Sequence, residues 1–252
     1  MHTVFIPRRS LSAALLAASG LLLTPLAQAS GFSEDSSAKL STSNIYFNRD
    51  FREGTGQSKR EEWAQGFILD LKSGYTDGPL GFGLDAKAML GIKLDSSPDR
   101  TGTGLLPTHD DGRAADEYSK LGLTAKMRYS ESELFLGTLM PKLPILQPNT
   151  SRILPQTFRG GMATINEFDN LSIDFGRLTK ATDRDSTDAE DLALNNKNRR
   201  FGGSFSADQL DWAGLNYQFN SSLAASYYLA QLDDIYRQHF FGLNPSAALG
   251  AG

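Results

Sequence analysis

The sequence predicts an all-β chain, a transmembrane antiparallel up-and-down β-barrel with about nine strands present. Three observations carry that expectation. Apolar residues recur at every second position and not at helical spacing. The strands so defined are long. Their connections alternate between long and short, the rhythm of a barrel with tight turns at one rim and loops at the other.

The chain opens on a leader. Arg8-Arg9 is followed by an apolar run from Leu11 to Leu23, and Ala27-Gln28-Ala29 is a small-residue cleavage site. That order is expected of a secretory signal peptide over 1–29. The run is too short to cross a bilayer as a helix, which needs about 20 residues. Removing the leader takes two arginines from 25 basic residues and leaves 23 against 29 acidic ones, a net charge of −6. An acidic chain is not expected to bind nucleic acid. The absence of cysteine excludes a disulfide scaffold and thiolate metal sites. Export with neither disulfides nor an apolar helix suits the periplasm or the outer membrane of a Gram-negative bacterium.

Strands are expected over 39–51, 62–76, 80–95, 118–129, 132–140, 157–167, 171–178, 209–219 and 222–232. The third, "LGFGLDAKAMLGIKLD", is the clearest. Phe82, Leu84, Ala86, Ala88, Leu90, Ile92 and Leu94 share one face, and Gly81, Gly83, Asp85, Lys87, Met89, Gly91 and Lys93 the other. At ~3.4 Å per residue it reaches roughly 50 Å, far beyond an ordinary soluble strand of about 5–6 residues. The strand at 118–129 repeats the pattern, with Leu121, Leu123, Ala125 and Met127 opposing Lys120, Gly122, Lys126 and Arg128. The glycine-rich, charged face suits a water-filled lumen. Tyr75, Tyr129, Tyr217 and Phe219 fall near strand ends, as an interfacial girdle requires.

Long links are expected near 52–61, 96–117, 141–156 and 179–208, and short ones between them. The stretch 199–205 is assigned to the fourth long loop, and "NPSAALGAG" at 244–252 reads as loop. Nine strands cannot close antiparallel, because the first and last run the same way, and open edges are unsatisfied in lipid. Residues 30–252 are therefore expected to be the N-terminal part of a longer barrel.

The third long loop, "PKLPILQPNTSRILP", contains Pro141, Pro144, Pro148 and Pro155, which prevent regular pairing. It also holds Leu143, Ile145, Leu146, Ile153 and Leu154, too many apolar side chains for a solvated loop. With that composition it is expected either to pack against the barrel wall or to remain a plain surface loop.

Alternation and strand-end placement make Arg49, Lys87, Lys93, Lys120, Lys126, Arg128, Arg152, Arg159 and Arg177 the candidate basic groups of a solute path. Arg49 shares a face with Ile45 and Phe47, which sets its parity against that role unless the strand ends there. Asp70, Asp85 and Asp174 are the candidate acids, either facing a solute amine or paired with neighbours, Lys87 with Asp85 and Lys93 with Asp95. Charged rings and pore width set selectivity in such a path. An arginine fork holds a carboxylate with two hydrogen bonds where lysine offers a point charge.

Other chemistries are poorly supplied. "DRDSTDAED" at 183–191 has Asp188 where a calcium loop of the EF-hand type needs glycine, so it reads as a hydrated external loop; no metal or cofactor is expected. "GTGLL" lacks the strand-to-helix context of a nucleotide fingerprint. His109 and His239 are far apart in sequence, and no serine is marked as a nucleophile. An outer-membrane lipase or hydrolase and a secreted soluble β-sandwich binding protein are the alternatives.

Several segments together resemble the OprD-type outer-membrane porins: "GFSEDSS" (31–37), "YFNRD" (46–50), "GFGLDAKAMLGIKLD" (81–95), "TGTGLLP" (101–107), "SRILPQT" (151–157) and "DIYRQHF" (234–240). The resemblance implies a monomeric 18-stranded barrel whose third external loop narrows the pore. It implies a ladder of basic side chains that guides small carboxylate-bearing solutes, basic amino acids or peptides among them. Arg49 in "FNRD" and Arg152 in "SRILPQT" fall at its matching basic positions. It further implies outer-membrane lipid and lipopolysaccharide around the barrel and insertion by the barrel-assembly machinery.

Overall fold

The computed structural model describes residues 30–54, 56–194 and 205–245. Residues 1–29, where a leader is expected, the stretch 199–204 and residues 246–252 lie outside the described residues. A short helix α1 (Ser30–Glu34) precedes the strands β1 (Ser37–Asp50), β2 (Lys59–Lys72), β3 (Leu80–Asp95), β4 (Glu117–Tyr129), β5 (Ser132–Leu139), β6 (Thr157–Phe168) and β7 (Leu171–Thr182). After them come β8 (Leu192–Ala193), β9 (Ser206–Ala207), β10 (Leu210–Asn220), β11 (Leu223–Leu232) and β12 (Tyr236–Pro245). Ten strands form one antiparallel sheet in the order β1-β2-β3-β4-β5-β6-β7-β10-β11-β12. β8 and β9 pair with each other inside the fourth long loop. The sheet is not closed, and β1 and β12 are its two edges.

Ten strands, not nine, correct the expectation. Residues 236–245 form β12 against β11, with Tyr228 opposite Phe240 and Leu223 opposite Pro245. A tight turn, in which Asp234 takes φ of 53°, replaces the long loop that the rhythm called for. The odd-strand argument for a missing part therefore falls, since the first and tenth strands run in opposite directions.

The two faces of the sheet differ as the alternation requires, since successive side chains of a strand point to opposite sides. One face exposes Leu40, Leu69, Leu71, Phe82, Leu84, Leu121, Leu123, Leu215 and Phe219. Leu121 is 72 % and Phe241 78 % exposed, values that only an apolar surround would reward. Tyr129, Tyr217 and Phe219 sit on this face near strand ends, as a girdle should. Tyr75 does not. It lies in the turn after β2, where its hydroxyl donates to Glu133 Oε1 at 2.7 Å and Lys126 and Arg128 stand over its ring at 4.8 and 4.4 Å.

The opposite, polar face is not simply wet. Its glycines are sockets for large neighbours: a Cβ on Gly91 would overlap the Tyr118 ring, and one on Gly214 the Tyr228 ring. Two apolar clusters sit on this face. One gathers Leu139, Leu143, Ile145, Phe158, Leu178, Leu210 and Trp212. The other gathers Ala64, Leu105, Leu106, Tyr118, Ile153 and Leu154, with Ile45, Phe47 and Ile68 against it. Both contain residues of the proline-rich loop, so that loop packs onto the wall from the polar side. Fully burying Ile153 and Leu154 contributes roughly 1.5–3 kcal/mol each.

Candidate functional site

The site is assembled where loop 2 (96–116), loop 3 (140–156) and loop 4 (183–209) meet over β1, β2 and β4. β2 supplies Glu62, which is fully buried. Its carboxylate accepts from Ser96 Oγ at 3.1 Å, from the Thr103 amide at 3.0 Å and from the Thr103 hydroxyl. This acceptor pins loop 2 at its "TGTG" turn. Gly102 and Gly104 hold φ of 85° and 77°, which side-chain-bearing residues seldom adopt. A Cβ on Gly104 would also lie 2.7 Å from Arg184 Nη2. The Thr103 carbonyl then accepts from Arg152 Nε at 3.0 Å. Arg152 lies over the Phe47 ring at 4.8 Å and donates to the Ser151 carbonyl at 2.8 Å.

The result is a cavity of about 270 Å³ lined by Phe47, Arg49, Arg60, Thr103, Arg152, Arg184 and Asp185. Burial pushes the Arg152 guanidinium below the ordinary arginine value, the Arg184 charge adds to that, Asp185 opposes it, and Arg49 adds again. A guanidinium stays charged under such pressure. Among the described residues, none of Arg49, Arg60, Arg152 and Arg184 has an ion-pair partner. Four arginines against one aspartate leave the cavity strongly positive.

The parity objection to Arg49 disappears here. Ile45 and Phe47 face the polar side because they are the surface on which loop 3 packs, so Arg49 shares their side and reaches the cavity.

The other expected basic residues are placed elsewhere. Lys87 pairs with Asp70, its register partner on β2, and Lys126 with Asp85 at 2.7 Å. Lys93 pairs with Asp116, and Asp95 with Arg100 at 3.0 Å. The expected neighbours along one strand, Lys87 with Asp85 and Lys93 with Asp95, therefore give way to partners from other strands and loops, which face the same side at closer range. Lys120 is buried and donates to the carbonyls of Pro155, at 3.3 Å, and Asp183. Arg128 stacks on Tyr75. Arg159 is exposed beside a bulge between Arg159 and Gly160. Arg177 is a correction: it points to the apolar face, opposite Asp211, and binds it through two hydrogen bonds of 2.6 and 2.9 Å. Its odd parity with Phe175 put it there.

Asp174 accepts from Thr164, Asn216 and Tyr228 at 2.8, 2.9 and 2.7 Å. All three expected acids are thus engaged by neighbours. Pro141, Pro148 and Pro155 are buried and Pro144 is exposed.

Sequence reasoning missed Arg60 and Arg184. Arg184 sits within the acidic run read as a hydrated loop. Its carbonyl lies 3.0 Å from the Tyr118 hydroxyl, which draws that end of loop 4 onto the wall. The two glycines flanking Thr103 were the available signal, because they mark a backbone that something bulky approaches.

A ten-stranded antiparallel sheet, apolar on one face and lined with charge and inward-packed loops on the other, defines a membrane β-barrel wall of the porin class. Residues 30–252 match the family described as outer membrane porin, OprD family, and the chain belongs to it. The porin-like protein GalP of Pseudomonas putida is 42% identical over 226 residues, which are 89% of this chain and 54% of GalP. Porin D of Pseudomonas aeruginosa is 37% identical over 227 residues, 89% of this chain and 49% of that protein. Among solved structures, OccK9 (OpdG) of Pseudomonas aeruginosa superposes with a TM-score of 0.82 at 49% identity, covering 87% of this chain and 56% of the other. OpdK of the same organism, solved with vanillate, gives 0.79 at 41%, covering 87% and 55%. The chain spans about half the length of the relatives it matches.

Proposed function

We propose that the full-length protein is an outer-membrane channel for passive diffusion of small carboxylate-bearing solutes. The observation that carries this reading is the cavity of Arg49, Arg60, Arg152 and Arg184, which form no ion pair among the described residues and outnumber the one lining acid, Asp185. A carboxylate is the anion whose planar pair of oxygens matches a guanidinium fork. Loop 3 narrows the passage beside it, because its apolar residues pack on the polar face and carry Arg152 with them. The presence of vanillate, itself a carboxylate, in the OpdK structure agrees with this class. Solutes that also carry an amine, such as basic amino acids, belong to the same class. Residues 30–252 form part of a larger barrel, which acts as a monomer within lipid and lipopolysaccharide after export on a cleaved leader and insertion by the assembly machinery.

The hydrolase alternative gains nothing from the histidines. His239 is bonded to Tyr227 on the face that bears Phe241 and Leu243, and His109 belongs to loop 2. The soluble-sandwich alternative is opposed by the exposed apolar face.

The test is the full-length gene product in planar bilayers under a salt gradient. The expected result is a reversal potential displaced toward that of the anion, and current blocked by an added carboxylate in proportion to its concentration. Conductance indifferent to every carboxylate, or no conductance, overturns the reading.

A further inference from the structure

Two inner-face residues of β4 reach loops that are distant in sequence. The Tyr118 hydroxyl lies 3.0 Å from the carbonyls of both Leu105 in loop 2 and Arg184 in loop 4. Two positions on, the Lys120 ammonium donates to Pro155 at the end of loop 3 and to Asp183 at the start of loop 4. Lys120 is 8 % exposed, so it offers almost no charged surface to a passing solute. Its partners are backbone atoms adjacent to the arginine cavity. Asp183 precedes Arg184 directly, and Pro155 follows Arg152 by three residues. Other ties hold the proline-rich loop as well, from Ser43 to the Ile153 carbonyl at 3.2 Å, from Gln156 to Asp183 at 2.8 Å and from Arg184 to the Ser151 hydroxyl at 3.4 Å, and Lys120 is the wall residue that donates to loops 3 and 4 at once.

We propose that Lys120 is a positioning residue: its ammonium is the strut that holds loops 3 and 4 at the spacing where Arg152 and Arg184 face one cavity. The inference rests on the proposed anion selectivity of that cavity and adds what fixes its geometry. A buried ammonium requires acceptors, and two carbonyls satisfy it where a lone hydroxyl proton would serve only one at a time. Replacing the side chain by an apolar one of similar length removes both donations and leaves the wall packed.

Single-channel recording of the full-length gene product tests this, with folding checked by heat-modifiable mobility. Lys120→Met is expected to turn a steady current into one that switches between sublevels, and to move the reversal potential toward that of Arg184→Ala. Lys120→Arg, which keeps several donors, is expected to restore the steady current. Gln156 donates to Asp183 at 2.8 Å, so a Gln156→Cys, Asp183→Cys pair supplies a covalent substitute for the strut; this sequence contains no other cysteine. Oxidation of that pair in the Lys120→Met background is expected to restore both steady current and selectivity, and reduction to abolish them. Should Lys120→Met fail to assemble, the cysteine pair alone decides: oxidation that leaves the current unchanged supports the strut, and oxidation that alters it overturns it. Lys120→Met that is steady and selective while Arg152→Ala and Arg184→Ala lose selectivity overturns this inference alone. Failure of the crosslink to repair selectivity also overturns it, because the lysine charge would then act on ions directly. A wild-type channel without anion preference overturns the selectivity reading instead.

Discussion

The carbonyl of Ile153 occupies the space a side chain on Gly66 would need. A Cβ built there lies 2.6 Å from that oxygen, and Ser43 Oγ donates to the same oxygen at 3.2 Å. Gly66 is on β2, facing the polar side, so the approach of loop 3 to the wall depends on this missing side chain. Gly66→Leu is expected to lift loop 3 at a cost of about 1–3 kcal/mol of overpacking. The barrel stays assembled, conductance rises, and trypsin gains access to Arg152. Unchanged conductance and protection of Arg152 would show that the loop does not depend on the contact.

The arginines divide by face, and substitution should reveal it. Arg152→Ala and Arg184→Ala each remove a charge from the cavity and are expected to move the reversal potential toward zero and weaken carboxylate block. Arg177→Ala removes a charge of equal size from the apolar face, where it pairs with Asp211 at 2.6 Å. It is expected to leave the reversal potential unchanged. Equal effects from all three would mean that the cavity has no special role.

How much of this was readable depends on how regular each strand is. The bounds of β3 were legible to the residue, and those of β4 within one, because their alternation runs unbroken. β12 was not legible. Arg237 and His239 interrupt its apolar side, Phe240 turns toward the polar side, and the turn before it is too short for the loop rhythm. β7 runs on to Thr182, past the expected 178, because Lys180 keeps its pairing with Arg159 across a bulge. β2 ends at Lys72 because Gly74 turns in toward α1, its amide donating to Phe32 at 2.9 Å. Half of the arginine cavity, Arg49 and Arg152, was legible from the resembling motifs, while parity counted against Arg49. Arg60 and Arg184 were not, because their place is set by loops whose folding leaves no periodic trace.

The "TGTG" turn of loop 2 is anchored on a buried acceptor, Glu62. Glu62→Ala leaves the Thr103 amide and hydroxyl and the Ser96 hydroxyl without their shared partner. An unsatisfied buried donor costs roughly 1–3 kcal/mol. The variant is expected to loosen the "TGTG" turn and release Arg152 from the Thr103 carbonyl, which shows as tryptic cleavage at Arg100 or Arg113 and as partial loss of anion preference. Glu62→Gln keeps an acceptor oxygen and is expected to behave more like the wild type. Identical behaviour of the alanine variant and the wild type would remove Glu62 from the account.

The assignment of faces has its own test on β4, where Leu123 and Thr124 are consecutive and point to opposite sides. Leu123 is 54 % exposed on the apolar face. Thr124 lies on the polar face and donates to the Thr138 carbonyl at 2.6 Å. Placing arginine on the lipid side near the middle of the bilayer costs about 2–4 kcal/mol. Thr124→Lys forfeits one hydrogen bond, about 1 kcal/mol, while its ammonium meets water in the lumen. Urea titration of the full-length protein folded into vesicles should therefore lower the midpoint far more for Leu123→Arg than for Thr124→Lys. The reverse order would place the lumen on the leucine side, and with it the arginine cavity on the outside of the barrel.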